Sequence, residues 1–344
     1  MYIIKYYHEL NERQIYELND FLEQRKDKIL PYQRLPFVKV IDEVFKYENI
    51  SLIAYNTKGN IEGFLPQWIV GRYIESVPWR DKGGPVFVSP DVIREFEKKC
   101  KELLMKNRRI KGVVWKDFRH SSSNQSSYFV NINVDLANRK IDEFYSNLPS
   151  KIRGKIRQAE RNGLEFRIVK NKNEKELLIF YKLLVENRHR IGVPVYPLSL
   201  FQSYFKFFPD EDIMLFNVAT ADKKVVAAMI LLINTGVAID AYSASSDLGK
   251  SLKANDYLVY QILEYCIQKG IKMFDFGADS PHQKSLIDFK LKWMGEKRVI
   301  LTSFIGEFEE FDHNKPSYDL IKYLIQKFPR PIYRLFSVAV IKSK

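Results

Sequence analysis

A chain of 344 residues with 46% hydrophobic and 14% aromatic side chains has enough apolar material for two domain cores, which excludes a disordered chain. Its formal net charge is +13, and its two cysteines, Cys100 and Cys266, lack the spacing of a disulfide framework or a thiolate metal site. No run reaches the roughly 18 apolar residues that a membrane span needs, and the N-terminal stretch is too short for a signal peptide. We therefore expect a globular cytoplasmic protein.

The first half of the chain predicts one α+β unit. In chain order, its elements are a strand near 2–7, a helix over 12–29, a second helix ending near Tyr47, strands at 51–55, 61–65 and 73–77, a helix over 90–107, a strand at 112–115, a polar loop at 121–127 and a strand at 128–134. Turn-forming residues around Gly59 and at Gly71 separate the three consecutive strands. This pattern predicts an antiparallel meander.

A basic helix predicted over 141–161 opens the second half. Apolar residues recur on one face at Ile152, Ile156 and Ala159, and Gly163 is a suitable stop. Residues 151–172 hold eight basic residues against Glu160 and Glu165. Such a patch favours polyanionic partners, such as a nucleotide diphosphate, tRNA, a lipid pyrophosphate or an anionic membrane, and a merely solvated basic face is the alternative.

The order of elements in the first half then recurs. Its members are helices at 174–190 and 198–207, strands at 213–219, 225–233 and 237–244, a helix at 252–269 and a strand at 273–277. The repetition predicts two similar domains, 1–140 and 141–310, followed by a helical tail at 311–344. The tail is apolar and basic, so we expect it to pack on the second domain, with contact to the inner membrane face as the alternative.

Four segments together resemble a known family. They are 77–85, 148–164, 254–261, and the pair 274–277 and 288–295. In this order they resemble the GNAT acyltransferase fold and, within it, the Fem-type peptidoglycan aminoacyltransferases and their acyltransferase-like relatives. The resemblance implies an α+β fold with a mixed α/β sheet, in two tandem GNAT-like domains around a cleft. It also implies amide formation by attack of an amine on an activated ester or thioester.

The resemblance places the chemistry near Lys290. With Phe289, this lysine matches the Phe-Lys pair of the family, in which the lysine stabilises developing negative charge; an exposed surface lysine is the alternative. Strand alternation puts Asp275 on the face opposite its two phenylalanine neighbours. We expect Asp275 to orient Lys290, the amine or a helix end, or to form a purely structural hydrogen bond. Asp279 is interpreted as a loop residue of uncertain role.

The resemblance also implies residues that bind the acceptor. Arg153 and Arg157, one helical turn apart, are the first candidates for its phosphates. The further candidates are Arg188, Arg190 and Tyr196 in segment 187–196, Trp79, Asp81, Gly83 and Gly84 in a glycine-containing turn, and Tyr257. The alternatives are that Arg190 caps its own helix and that the turn is a plain tight turn.

The donor site departs from the usual GNAT pattern. Acyl-CoA enzymes hold the pyrophosphate on a glycine-rich loop that leads into the central helix. Here segment 246–256 has one glycine, so Gly249, Lys250 and Lys253 are the donor-binding candidates. Aminoacyl-tRNA and acyl-CoA are both retained as the co-substrate, and no tightly bound cofactor is expected. The five histidines are scattered and do not predict a metal site.

These observations predict an N-acyltransferase of cell-wall or polysaccharide biosynthesis. It would add an aminoacyl or acyl group to an amine of a nucleotide- or lipid-linked envelope precursor, either a peptidoglycan peptide or an amino sugar. One alternative is an acetyl-CoA-dependent N-acetyltransferase of surface-polysaccharide sugars. The other is a non-catalytic basic module that binds RNA or a membrane. We expect the protein to act as a monomer in the cytoplasm, with tRNA and the inner membrane face as further partners.

Overall fold

The computed structural model describes residues 2–116, 125–170, 172–308 and 316–342. These residues divide into two compact units: unit 1 comprises the described residues up to 130 together with 299–308, and unit 2 comprises those from 131 to 298 together with 316–342. Within the described ranges, no helix combines the length and apolar character needed to cross a membrane.

The elements follow one another as strands and helices of both units. The first group is β1 (Ile3–Tyr6), α1 (Glu12–Glu23), α2 (Leu35–Val44), β2 (Glu48–Asn49), β3 (Leu52–Tyr55), β4 (Ile61–Leu65), β5 (Gln67–Val70), β6 (Tyr73–Ser76), β7 (Val86–Phe87), α3 (Pro90–Lys106), β8 (Gly112–Trp115) and β9 (Gln125–Asp135). The second group is α4 (Ile141–Asn147), α5 (Ser150–Arg161), β10 (Glu165–Val169), α6 (Glu174–Ile191), α7 (Leu198–Phe207), β11 (Ile213–Ala219), β12 (Val225–Asn234), β13 (Val237–Ser245), α8 (Asp247–Ser251), α9 (Ala254–Gln268), β14 (Met273–Asp279), α10 (Lys284–Leu291), β15 (Glu296–Gly306), α11 (Pro316–Lys327) and α12 (Arg330–Lys342).

In unit 1 the strands form two groups. β1, β3, β4 and β7 pair in that order, while β8, β6, β5 and β2 follow one another in the other group, where β15 pairs with β8. The predicted meander of three strands is therefore wrong, because β3 and β4 pair but β6 pairs with β5 and β8. Pro66 separates β4 from β5, a strand that the sequence analysis missed, and proline has no N–H to continue a ladder.

Unit 2 is built on the strand order β10, β11, β12, β13, β14. The first four strands are antiparallel to their neighbours, and β13 and β14 are parallel. α6 and α9 pack against β12 and β13. β12 is buried along most of its length, as a central strand covered on both sides must be.

Two irregularities of β13 shape its neighbourhood. Ile230 of β12 pairs with Tyr242 and Leu231 with Asp240, so Ala241 is an extra, bulged residue. Because of this bulge, Asp240 and Ser243 lie on the same face of β13 although they are three residues apart. The β13–β14 pairing ends at the Ile239–Asp275 pair, yet β13 continues to Ser245 and β14 to Asp279.

Several predicted helices are shorter than their sequence patterns. The helix predicted over 141–161 is two helices, α4 and α5, because Leu148 before Pro149 adopts an extended conformation. The helix predicted from 252 begins at Ala254, since Lys253 has a left-handed φ of 64°. Of the loop predicted at 121–127, residues 121–124 lie outside the described part of the chain, and β9 already begins at Gln125.

The C-terminal tail packs on unit 2, as predicted. It forms two helices, α11 and α12, and both contact α6. Ile325 and Tyr333 are completely buried, and the Tyr333 hydroxyl donates a hydrogen bond of 2.7 Å to the Val193 carbonyl. The prediction did not separate the two helices, which meet at Pro329.

Candidate active site

Lys290 is buried at the end of α10, with 7% of its surface exposed. Its Nζ lies 2.7 Å from Asp279 Oδ2, 2.8 Å from the Phe276 carbonyl oxygen and 3.4 Å from that of Gly277. An ammonium group has three N–H donors, and these three acceptors engage all of them. The alternative of an exposed surface lysine is therefore wrong. The two carbonyls belong to the residues directly after the last β13–β14 pair.

Asp279 is the carboxylate within ion-pair distance of Lys290. It ends β14 and is buried, so its interpretation as a loop residue is wrong. Asp275 is also buried, and its Oδ1 accepts a hydrogen bond of 2.8 Å from the Gly277 amide. This matches the hydrogen-bonding alternative for Asp275. Gly277 has a left-handed φ of 74°, which interrupts the regular alternation that the sequence analysis assumed.

Asp240 is a third carboxylate in this cluster, and the sequence analysis missed it. It hydrogen-bonds through its side chain to Ser243. Burial raises the pKa of Asp240 to about 7, although the nearby Lys290 charge lowers it; the charges of Asp279 and Asp275 raise it further. A single aspartate inside the apolar run of β13 was the available signal. A carboxyl group with a pKa near neutrality can both accept and return a proton at physiological pH.

Phe289 packs beside this cluster. It is half-buried, and its ring meets that of Trp293 edge to face at a centroid distance of 6.4 Å. Ile287, Lys290 and Trp293 are buried at spacings of three residues, which places them on the inner face of α10. The observed contact of Phe289 thus supports the seating of the helix that carries Lys290.

The basic face of α5 contains one accessible and one engaged arginine. Arg157 is exposed, whereas Arg153 is half-buried and donates a hydrogen bond of 2.8 Å to the Ser146 carbonyl. Lys155 forms an ion pair of 2.8 Å with Asp256, in the first turn of α9. Tyr257 follows in the same turn and is buried, and burial raises its pKa.

The turn before α9 is filled by its own contacts. A Cβ added to Gly249 would lie 2.3 Å from the Val226 carbonyl oxygen, so the glycine is required for close packing on β12. Its amide already donates to Ser246 Oγ at 3.0 Å. Lys250 is exposed and Lys253 is half-buried. Of the three predicted donor-binding residues, the two lysines thus remain as accessible cations.

The segment after α6 fixes the end of β13. Arg190 forms an ion pair with Asp247 and donates a hydrogen bond to the Ser245 carbonyl. It does not act as a cap of its own helix through these contacts. The Arg188 guanidinium lies 5.8 Å from the centre of the Tyr196 ring. These three predicted residues belong to unit 2, as does the cluster around Lys290.

The glycine-containing turn belongs to unit 1. Trp79 has a left-handed φ of 64° and stacks on Phe45 at 5.8 Å. Gly83 has a φ of 128°, and the Gly84 carbonyl accepts a hydrogen bond of 2.7 Å from Gln33. Both glycines line a cavity of about 520 Å³ that also contains Arg25 and Lys28. Asp81 lies outside this lining, with Oδ2 3.8 Å from Lys82 Nζ.

The cysteines and the acidic residues give no alternative centre. Burial raises the pKa of each thiol, Cys100 and Cys266, to about 12, so neither is a ready nucleophile. The described residues contain no group of three or more His, Cys, Asp or Glu side chains that could hold a metal ion. His120 and His313 lie outside the described residues.

Comparisons with known proteins bear on this fold and site. Residues 146–285 match the family described as Acetyltransferase (GNAT) domain, a segment that contains β13, β14 and most of α5 to α9. No curated protein matches the chain in sequence.

Solved structures resemble the fold at low sequence identity. The crystal structure of FemX has a TM-score of 0.62 and 13% identity, covering 88% of this chain and 98% of FemX. The L-PGS structure from Bacillus licheniformis has a TM-score of 0.55 and 13% identity, with 88% and 99% covered. A tandem GNAT protein from the clavulanic acid biosynthesis pathway has a TM-score of 0.55 and 9% identity, with 90% and 99% covered.

The expectation of two tandem GNAT-like domains in a mixed α/β fold is confirmed by the family match and these neighbours. The chain contains a GNAT acetyltransferase domain within a Fem-like GNAT fold, and it is an acyltransferase of that superfamily.

Proposed function

We propose that this acyltransferase forms an amide by transferring an aminoacyl or acyl group to an amine of a cell-envelope precursor. The observation that carries the proposal is the cluster of Lys290 with Asp240, Asp275 and Asp279, where β13 and β14 separate. Buried charges of this density are expensive unless they serve a reaction. In the family that the chain resembles, the acceptor is a peptidoglycan peptide, and an amino sugar would present the same amine chemistry.

The attacking amine must be neutral, and Asp240 supplies the group that removes its proton. The amine nitrogen attacks the donor carbonyl carbon, a C–N bond forms, and the carbonyl electron pair moves to oxygen. The amine proton passes to the Asp240 carboxylate. When the tetrahedral intermediate collapses, the bond to the ribose oxygen or thiolate breaks, and Asp240 returns the proton to that leaving group.

Lys290 supplies positive charge for the developing oxyanion. Its three contacts occupy its three donors, so it stabilises the oxyanion chiefly through its charge in a poorly solvated site. The contact to the Gly277 carbonyl, at 3.4 Å, is the weakest of the three. It is therefore the one that a substrate oxygen would displace.

The acceptor's phosphates are assigned to the exposed basic residues of α5. Lys151, Arg157 and Arg161 are exposed, and Arg157 offers the planar donor pair that suits phosphate. Arg153 orients the helix through Ser146. Arg188, Tyr196 and Tyr257 remain acceptor-side candidates of unit 2. Trp79, Asp81, Gly83 and Gly84 remain candidates of unit 1.

For the donor, the filled turn at Gly249 favours an aminoacyl ester over a CoA thioester. A pyrophosphate cradle needs several amides that have no other acceptor, whereas the Gly249 amide is bonded to Ser246. Lys250 and Lys253 can bind phosphate of either donor. We accordingly propose aminoacyl-tRNA as the first donor, used in the cytoplasm, and no bound cofactor.

An acetyl-CoA-dependent N-acetyltransferase of surface-polysaccharide sugars is the second candidate. The observation in its favour is the family description itself, which names an acetyltransferase. In that case the same Asp240 and Lys290 would act on a thioester. Both candidates require catalysis, so the non-catalytic basic module is not pursued.

One experiment separates the two donors. Purified protein is incubated with amine-bearing nucleotide- and lipid-linked precursors, together with charged tRNA or acetyl-CoA, and the mass of each acceptor is followed. A mass gain with charged tRNA that disappears after RNase treatment supports the first proposal. A gain with acetyl-CoA alone supports the second. The absence of any gain in either arm contradicts both, provided that FemX with its own substrates is active in the same assay.

A further inference from the structure

The two C-terminal helices expose a large share of their apolar residues. Those on α11 are Leu320, Ile321, Tyr323 and Leu324, and those on α12 are Ile332 and Leu335. Their spacings of one, three and four residues place the members of each helix on one side of it. We refer to these six side chains as the tail surface. Exposed apolar residues occurring singly need no explanation, but a cluster of six on two adjoining helices does.

The tail surface is not the face by which these helices join unit 2. The opposite sides carry Ile325, Tyr333 and Ile341, which are buried. Gln326 Nε2 donates to the Arg190 carbonyl at 2.8 Å, and the side chain of Lys322 contacts Gly192, where any Cβ would lie 2.4 Å from Lys322 Cγ. The orientation of both helices is therefore fixed, and folding of unit 2 leaves the tail surface in solvent.

Positive charge surrounds the tail surface. Lys322, Lys327, Arg330 and Arg334 are exposed on the same two helices, against one exposed acidic residue, Asp319. Arg330 pairs with Glu186 yet keeps 63% of its side chain exposed. An apolar stripe bordered by lysine and arginine is the pattern of helices that lie in a membrane interface. A protein partner would not require this excess of one charge.

We propose that the tail surface docks on a bilayer surface that contains anionic lipid. The leucines and isoleucines enter the boundary between headgroups and acyl chains, while Lys322, Lys327 and Arg334 contact lipid phosphates. Apolar burial and charge attraction together give reversible attachment of the protein to the membrane. This inference goes beyond the proposed function, since attachment does not depend on which acyl group is transferred or on whether the chain turns over.

Vesicle co-sedimentation of the full chain tests the inference. Wild-type protein is mixed with vesicles of phosphatidylcholine alone or of phosphatidylcholine with phosphatidylglycerol, and the bound fraction is measured at low and high salt. We expect binding to the anionic vesicles that falls as salt rises. The variant Leu320→Ser/Leu324→Ser/Leu335→Ser should weaken this binding by at least about tenfold, because it removes three apolar side chains from the interface.

A matched variant controls for exposed apolar surface in general. Met105 on α3 is 75% exposed, the same fraction as Leu335, but belongs to unit 1. Met105→Ser should bind anionic vesicles as the wild type does. Lys322→Gln/Lys327→Gln should weaken binding and reduce its salt dependence. Circular dichroism and thermal melting establish that each variant is folded.

Two outcomes would overturn the inference. One is wild-type protein that stays in solution with anionic vesicles, and the other is a triple serine variant that binds them as tightly as the wild type. If the wild type ignores vesicles but forms a dimer that the triple variant abolishes in analytical ultracentrifugation, the tail surface binds a second copy and the membrane assignment is wrong.

Discussion

Lys290 Nζ lies 2.7 Å from Asp279 Oδ2, and fewer than a tenth of either side chain is exposed. Breaking a buried pair by removing one partner leaves the other charge without compensation, at a cost of about 3–5 kcal/mol. We therefore expect Lys290→Ala to lower the free energy of unfolding by that order and to abolish most turnover. Urea unfolding and acceptor-mass kinetics measure the two effects.

Two further variants separate stability from catalysis at this pair. Lys290→Met/Asp279→Asn replaces both charges, so it should recover much of the stability without recovering turnover. Lys292 is exposed two residues further along, and Lys292→Ala should change neither quantity. Wild-type turnover by a folded Lys290 variant would show that this charge has no catalytic role.

Asp240 makes stability and activity depend on pH in opposite directions. Its pKa rises from 3.8 to about 7 on folding, so between these values the folded state holds a proton that the unfolded state has released. The free energy of unfolding contributed by this group therefore falls as pH rises from about 4 to 7, by up to about 4 kcal/mol. In Asp240→Asn this fall should be absent from urea unfolding curves.

Turnover should rise through the same interval, since only the ionised carboxylate accepts a proton from the amine. We expect kcat to increase with an apparent pKa near 7 in the wild type, and Asp240→Asn should be slow at every pH. A neighbour on the opposite face of β13 provides the control: Ala241→Ser should retain the wild-type profile. Retention of the same rising limb by Asp240→Asn would assign it to another group.

The sequence predicted the elements of unit 2 better than their contacts. Periodicity located α6, α7, β11 to β14 and α10 to within a few residues, because each has a long apolar pattern. It missed the link between Lys290 and Asp279, since that link depends on the left-handed φ of Gly277, which turns β14 out of regular alternation. Asp240 was missed for a related reason: only the bulge at Ala241 reveals its common face with Ser243.

In unit 1, local patterns were less informative. β2, β5 and β7 have between two and four residues, too few for a periodicity to emerge. Without β5, the neighbouring strands were interpreted as a meander. Motif resemblance succeeded where periodicity failed, because it identified the fold from the order of four segments. It could not show that Arg153 is bonded to Ser146, a contact between α5 and α4.

Gly249 provides a test of packing against phosphate binding in the turn before α9. Gly249→Ala would bring a Cβ to 2.3 Å from the Val226 carbonyl, so we expect a loss of stability on the order of 1–3 kcal/mol. Gly154, within α5, has no atom within 4 Å of its added Cβ. Gly154→Ala should raise stability by about 0.5–1 kcal/mol through helix propensity. Thermal melting compares them, and a Gly249→Ala protein of unchanged stability that binds donor poorly would restore the phosphate-loop interpretation.

Arg157 and Arg153 should have separable effects on acceptor binding. Arg157 is exposed, so Arg157→Ala should raise KM for a phosphate-bearing acceptor about tenfold, as loss of a charge-assisted hydrogen bond would, with kcat and melting temperature unchanged. Arg153→Ala instead removes a bond to Ser146 and should lower stability by about 1 kcal/mol. Arg157→Lys keeps the charge but loses the planar fork, and should recover only part of the affinity. If Arg157→Ala left KM unchanged for the phosphate-bearing acceptor, while Arg153→Ala raised it in folded protein, the phosphate contact would belong to Arg153 and the basic face of α5 would have to be reassigned.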